Sequence, residues 1–291
     1  MKYFLALLSI LIFWSKPLLS QIQFDEGKTY IFEMKDGNTY IGKAKEIEKG
    51  KVYEIMTNVG VLTLRSENIK VMKEIKTAQM HDGEYWPESP HSSRYFFSPS
   101  GYGLRKGEGY YQNAWIFLNQ ASYGFTDYFS LGIGTIPTFL FGETETIPIW
   151  LTPKLNFQYK NGKGAFGLGS IFFTVPGESG NGVGLVYGTN TFGTRDKQLS
   201  LGLGFGYDTD NGLSDIPVFN VAGLLRLSKN WALVTENYVF SFDGVTTIIS
   251  CGARYMGKRL AIDFGGIIPA EGDEFYMAPW LSITVPFGKR Y

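Results

Sequence analysis

The chain has 291 residues, 44% of them hydrophobic and 19% charged, and its 27 basic and 27 acidic side chains leave a formal net charge of zero. That balance lacks the basic excess typical of nucleic-acid binders. A single cysteine, Cys251, excludes an intrachain disulfide framework and a cysteine-clustered metal site. Two histidines, His81 and His91, offer little for imidazole catalysis or zinc binding, while 36 glycines and 16% aromatic residues point to a β-rich membrane or surface protein rather than an α/β enzyme.

Lys2 precedes an apolar run from Tyr3 to Trp14, followed by Ser15, Lys16, Pro17 and a short stretch to Ser20. This order predicts a secretory signal peptide over 1–20, cleaved after Ser20. The run is shorter than the roughly 20 apolar residues of a spanning helix, and Pro17 ends it. No cysteine follows it to carry a lipid anchor, and no later segment is long and apolar enough for a spanning helix.

A shift in composition divides the remainder. Residues 24–80 hold 10 Lys/Arg and 9 Asp/Glu in 57 positions, whereas residues 94–291 hold 15 and 15 in 198. Between them, HDGEYWPESPHSS (81–93) has the proline and small polar content of a linker. The organisation expected is a signal peptide (1–20), a small periplasmic β-module (21–80), a linker (81–93) and a large β-domain (94–291).

In the small module, YIFEM (30–34) meets YIGKAKEI (40–47) across Asp36-Gly37, a hairpin signal. KVYEIMT (51–57), VLTLR (61–65) and IKVMKEI (69–75) follow. Five short strands in about fifty residues bury their apolar faces by curling into a small barrel. The stretch FEMKDGNTYIGK resembles the first hairpin of Sm-like or SH3-like small barrels. Sm-like proteins often bind RNA, but an exported, charge-balanced module is read here as an interaction or spacer module with a periplasmic partner, not a nucleic acid.

The large domain alternates apolar with small or polar residues. In QLSLGLGFGYD, Leu199, Leu201, Leu203, Phe205 and Tyr207 oppose Ser200, Gly202, Gly204, Gly206 and Asp208. LAIDFGGII and APWLSITV repeat the pattern, with Ile262 and Phe264 opposing Asp263, and Leu281 and Ile283 opposing Ser282. Period two marks strands with one apolar face, and roughly ten-residue segments of this kind are the signature of a transmembrane barrel. Twelve strands are predicted, near 94–104, 109–124, 128–136, 147–159, 164–175, 183–194, 198–208, 217–227, 231–241, 245–255, 259–268 and 276–287. The first is interrupted by Pro99 and two glycines, and rests on parity, since termini on one side demand an even count.

Alternate connections differ. One set consists of tight turns with nine basic and two acidic residues, counting Lys160 and the terminal Lys289-Arg290. The other set, 105–108, 137–146, 176–182, 209–216, 242–244 and 269–275, holds eleven acidic residues with Asp208, and only Arg105 and Lys106 as basic. Short turns in such barrels face the periplasm and longer loops face outward, so a basic inner rim and an acidic outer rim are expected.

The stretch RYFFSPSGYGLRKGEGYYQNAW (94–115), followed by YGFTDYFSLGIG (123–134), resembles the opening of bacterial outer-membrane β-barrel proteins of uncharacterised function. The resemblance covers 94–291. It implies outer-membrane placement, outer-membrane lipid and the barrel assembly machinery as partners, and no known activity. The ending Val285-Pro286-Phe287 with Tyr291 last resembles the assembly signal of such barrels, although Gly288-Lys289-Arg290 departs from its register.

No G-x-S-x-G, H-E-x-x-H or P-loop is present, and both histidines fall in or beside the linker. No catalytic residue, cofactor or resident metal is assigned. The pairs Asp208/Asp210 and Asp273/Glu274 have Ca²⁺-binding chemistry, but solvated loop charges are the simpler reading. If apolar residues face lipid, Lys154, Arg226, Arg254, Asp263 and Glu236 face the lumen, because charge on the lipid face costs a few kcal/mol near mid-membrane. Arg226, Glu236, Arg254 and Asp263 alternate in sign on four consecutive strands and are expected to form a lateral ladder. Such a ladder either satisfies charge in a packed interior or forms a constriction that selects small solutes.

The fold expected is all-β: a twelve-stranded antiparallel transmembrane β-barrel after a small β-barrel-like module. The function expected is non-enzymatic, either a narrow channel or a structural barrel. The alternatives are a surface binding or adhesion protein that uses acidic loops and, further off, a lipid-active enzyme.

Overall fold

The computed structural model describes residues 25–57, 59–75, 80–81, 84–89, 91–137, 147–176, 182–241, 245–257, 259–270 and 276–288. The signal-peptide segment 1–20 and the outer pair Asp273/Glu274 lie outside them. The described residues are all-β, apart from one turn of 3-10 helix at Ser66–Asn68. The chain divides into two units, Met1–Trp86 and Pro87–Tyr291.

The first unit contains β1 (Thr29–Met34), β2 (Thr39–Glu48), β3 (Val52–Thr57), β4 (Gly60–Arg65) and β5 (Ile69–Glu74) in the order β4-β3-β2-β1-β5. The Asp-Gly turn forms as expected: Gly37 takes φ +93°, and the Asp36 carboxylate accepts the Asn38 amide at 2.9 Å. Tyr30, Phe32, Ala44, Tyr53, Ile55 and Leu64 make the core. A two-stranded hairpin, β6 (Met80–His81) with β7 (Glu84–Tyr85), ends this unit, and His81 stacks on Trp86 at 4.0 Å.

The second unit is a closed antiparallel barrel of twelve strands. They are β8 (Glu108–Ala114), β9 (Leu118–Gly124), β10 (Phe129–Thr135), β11 (Ile149–Gln158), β12 (Gly164–Thr174), β13 (Val183–Gly193), β14 (Lys197–Asp208), β15 (Gly212–Arg226), β16 (Trp231–Ser241), β17 (Val245–Met256), β18 (Ala261–Pro269) and β19 (Ala278–Gly288). β19 pairs with β8, from Ser282 opposite Ala114 to Gly288 opposite Glu108, and this closes the sheet without an edge.

The period-two reading assigns the faces correctly. Leu199, Leu201, Leu203, Phe264, Leu281 and Ile283 are exposed on the outer wall, while Ser200, Asp263 and Ser282 are buried inside. An apolar exterior around a polar interior inverts a soluble fold and is the surface of a membrane-spanning barrel. Exposed aromatic residues collect near the tight-turn rim, with Phe125, Tyr128, Phe157 and Trp231 there, and Tyr276 stands near the other.

The count of twelve is reached by a different route from the one expected. Residues 94–104 are not a wall strand; they lie inside the barrel. The segment 109–124 is two strands, β8 and β9, joined by Trp115-Ile116-Phe117. Trp115 (φ +50°) and Ile116 (φ +72°) occupy left-handed backbone, a rare conformation for bulky side chains. The turn is held from outside itself: Trp115 N donates to Leu281 O at 3.0 Å, its Nε1 donates to Pro279 O at 2.6 Å, and its ring meets Trp280 edge-on. Parity survives because one strand was lost and one gained.

This also moves 105–108 from the long-loop end to the tight-turn end, where Gly107 N donates to Gly124 O. Among the described residues, the tight-turn end then carries eight basic residues (Arg105, Lys106, Lys160, Lys163, Arg195, Lys197, Lys229 and Arg259) against Glu108, Asp127 and Asp196, and the long-loop end carries Asp208, Asp210 and Asp215 with no basic residue. The stretch 81–93 is likewise not a uniform linker, because the second unit begins at Pro87 and Ser89, His91, Ser92 and Ser93 are buried in it.

Candidate functional site: the charged lumen and its re-entrant segment

Residues 87–107 enter the barrel at the tight-turn end, turn back, and leave at the same end to begin β8. The fold-back is small and local. Arg94 bridges to Pro99, Tyr95 N donates to Ser98 O at 2.9 Å, and Ser100 N donates to Ser93 O at 3.0 Å. Phe96 and Phe97 form the turn, and Pro99 and the two glycines that interrupt the strand pattern follow it. Glu88 and Arg105 close the base with an ion pair at 2.7 Å.

The charges predicted to face the lumen do face it, and each of them holds this segment. Arg254 and Asp263 sit opposite one another in the β17–β18 register, with Arg254 Nε 2.5 Å from Asp263 Oδ1. Arg254 then reaches the segment, donating to His91 O at 2.8 Å and Tyr95 O at 2.6 Å. Arg94 of the segment completes the triad. It donates to Asp263 Oδ2 at 3.1 Å and to the Thr284 hydroxyl, and its guanidinium lies 5.4 Å from the centre of the Tyr110 ring. Ser282 adds a fourth hydrogen bond to Asp263 at 3.1 Å. All three charged side chains are almost wholly buried, where an unpaired ion is costly and a saturated pair is not.

Lys154 on β11 donates to three carbonyls of the segment, Ser93 O at 3.4 Å and Ser100 O and Tyr102 O at 2.6 Å each. This uses the full donor capacity of an ammonium group. Glu236 on β16 accepts the Phe97 and Ser98 amides at 2.9 and 3.0 Å at the tip, and the Tyr238 hydroxyl at 2.8 Å. Arg226 on β15 donates to Pro87 O at 2.7 Å and to Asp196 at 2.9 Å, near the point of entry.

The continuous ladder expected from sequence is not formed. Arg226 lies opposite Ala232, and Glu236 opposite Ala222. Arg254 also lies opposite Ala232. Glu236 is thus offset by four residues from both arginines, roughly 13 Å along the strands. Only Arg254 and Asp263 meet. Period-two alternation gave the faces, and the alternating signs on consecutive strands carry no information about height along the barrel axis.

Sequence reasoning missed the residues that complete the docking. The Thr191 hydroxyl accepts the Gly101 amide at 2.6 Å, Gln198 donates to Ser92 O at 2.9 Å, and Gln112 donates to Phe96 O at 3.0 Å. Arg195 in the β13–β14 turn donates to Ser92 Oγ at 2.9 Å, pairs with Glu88 at 3.3 Å and stacks on Tyr102 at 4.7 Å. Gly101 is required by contact rather than by dihedral angle, since a Cβ there would sit 2.1 Å from Ala165 O. The available signal is Arg94 itself, a charge whose place on a lipid-facing wall strand would be costly.

Little space remains beside the segment. A cavity of about 50 Å³ is lined by Arg94, Phe97, Tyr110, Gln120, Lys154 and Tyr187, room for a few waters at most. Further round the wall, lumen-facing aromatic rings seat on glycines, Trp150 on Gly134 and Tyr187 on Gly169. Asp208, offered above as half of a Ca²⁺ pair, caps its own turn by accepting the amides of Asp210 and Asn211 at 2.9 and 2.5 Å. His91 is buried within the re-entrant segment.

No protein-family model matches the sequence, and no curated protein matches it either. Among solved structures, the chain is similar to one described as CymD monoaromatic hydrocarbon channel. The identity is 10%, over 92% of this chain and 90% of that chain, with a TM-score of 0.38. At that level nothing about cargo transfers.

Proposed function

We propose that the protein is a non-enzymatic outer-membrane barrel whose lumen is shut at rest by its own residues 87–107, with the tight-turn end and the N-terminal module in the periplasm. The observation that carries this reading is that Lys154, Arg226, Glu236, Arg254 and Asp263 each make at least one hydrogen bond to that segment. Of the two roles weighed from sequence, this favours a structural barrel, or a channel that conducts only when the segment leaves, over a permanently open pore. The basic tight-turn end supports the orientation. For the module, a four-strand meander with a fifth strand returning to the first supports an Sm-like or SH3-like small barrel. Its covalent continuity with residue 87 makes it a handle on the segment for a periplasmic partner. The acidic long-loop end supports a second reading, attachment of cationic groups at the cell surface.

Planar-bilayer conductance tests the first reading. Glu88 and Arg105 pair through their side chains at the base of the segment, so replacing 89–104 with a short Gly-Ser bridge removes the filling while spanning the gap between their backbones. The full-length protein is expected to be silent and the bridged variant to conduct. Steady conductance of the full-length protein refutes closure by this segment, and a silent, correctly folded bridged variant refutes it equally.

A further inference from the structure

The outer wall carries a concavity of about 1110 Å³ across β13–β18, toward the tight-turn end. Its floor is made of small residues that the register brings side by side, with Gly223 opposite Thr235 and Thr235 opposite Cys251. Phe192, Leu225, Leu233 and Phe264 stand around it. On their inner side the same strands pack Ala222, Leu224, Ala232 and Val234 in one cluster with Tyr95 of the re-entrant segment. The wall is therefore filled on its inner side and hollow on its outer side. The hollow is almost wholly apolar and opens at the membrane boundary on two exposed cations, Lys163 and Lys197. These lie two strands apart, roughly 10 Å, within reach of a single phosphate.

A hollow in a lipid-facing wall is filled by lipid or by protein. A second copy docking here would make a two-fold interface. That would oppose two concavities and bring four lysines together, so the surface is not self-complementary. An anionic lipid satisfies both features at once, its acyl chain covering the apolar floor and its phosphate pairing with the ammonium groups. We infer that this groove is a specific site for an anionic phospholipid of the leaflet at the tight-turn end, with its phosphate between Lys163 and Lys197 and an acyl chain over Gly223 and Cys251. The inference rests on the membrane-barrel reading above.

The test uses the full-length protein in vesicles with equal mole fractions of phosphatidylglycerol and phosphatidylcholine. Lipids retained after gentle extraction are counted by native mass spectrometry. Two lysines at a membrane surface are expected to favour retention of phosphatidylglycerol on the order of tenfold. The double variant Lys163→Glu, Lys197→Glu should abolish that preference. Gly223→Phe should fill the groove and reduce retention of either lipid. A Cβ at 223 meets nothing closer than 3.4 Å, so the variant should still fold. Equal retention of both lipids by the wild type overturns the site, as does a preference that survives the double lysine change. Vesicle flotation and heat-modifiable migration are read on the same samples. A protein that floats and shifts but shows no preference loses only the site, whereas one that does neither loses the membrane reading and the site with it.

Discussion

Replacing Asp263 with leucine removes the anion that two buried guanidinium groups share. Arg254 loses bonds of 2.5 and 3.1 Å and Arg94 one of 3.1 Å. Breaking a buried pair costs about 3–5 kcal/mol because a charge is left unpaired, and with two cations left facing each other the upper end is expected, about 5 kcal/mol. Arg254→Met is milder. Asp263 keeps Arg94 and Ser282, and Tyr95 O keeps a bond from Arg94 at 2.9 Å, so the main orphan is His91 O. One unsatisfied buried carbonyl and a weakened pair together suggest about 3 kcal/mol. The double variant leaves Arg94 alone and should cost about 4 kcal/mol, well short of the sum, which gives a coupling on the order of 4 kcal/mol. Urea unfolding of the refolded barrel in vesicles, followed by tryptophan fluorescence, supplies the cycle. Arg226→Met with Glu236→Leu is the control. These residues are four positions apart in register and should be additive within about 0.5 kcal/mol. Near-zero coupling between Arg254 and Asp263, or strong coupling between Arg226 and Glu236, would refute the register and restore a continuous ladder.

Gly101→Val puts a side chain where Ala165 O already stands, at 2.1 Å from the Cβ position. The barrel should still form and show heat-modifiable migration, but residues 87–107 should become cleavable by added protease, and a protected segment would disprove the packing described. Amine-reactive reagents applied to intact cells should leave Lys197 and Lys229 unmodified until the outer membrane is permeabilised. Labelling of either lysine in intact cells would invert the orientation and the rim polarity with it.

The faces of the cleanly alternating wall strands β14, β18 and β19 were legible because alternation survives whatever the neighbouring strands do. Leu199 and Ser200 point to opposite sides in any register. For the same reason Lys154, Arg226, Glu236, Arg254 and Asp263 were found: ions are excluded from the lipid face on energetic grounds alone. The strands of the small module were equally plain, since Asp36-Gly37 and Gly60 punctuate them. The turn at Trp115-Ile116 was not, because neither residue favours φ above zero; contacts from Leu281 and Pro279, over 160 positions away, impose it. RYFFSPSG read as wall for a related reason. Its apolar residues suit a lipid face as well as a packed interior, and composition does not distinguish them.

The amino-acid sequence by itself determined the all-β class, the division of the alternating strands into a polar and an apolar face, the ionic content of the lumen and the opposite charge of the two sets of connections. These depend on local periodicity and on the cost of burying charge. Only the tertiary structure decided which ions meet, which stretch is wall and which is filling, and that the lumen is occupied. Closure of the sheet and the path of a segment through its cavity depend on residues far apart in the chain, Glu108 against Gly288 and Arg94 against Asp263. No short window of the chain contains both sides of either contact.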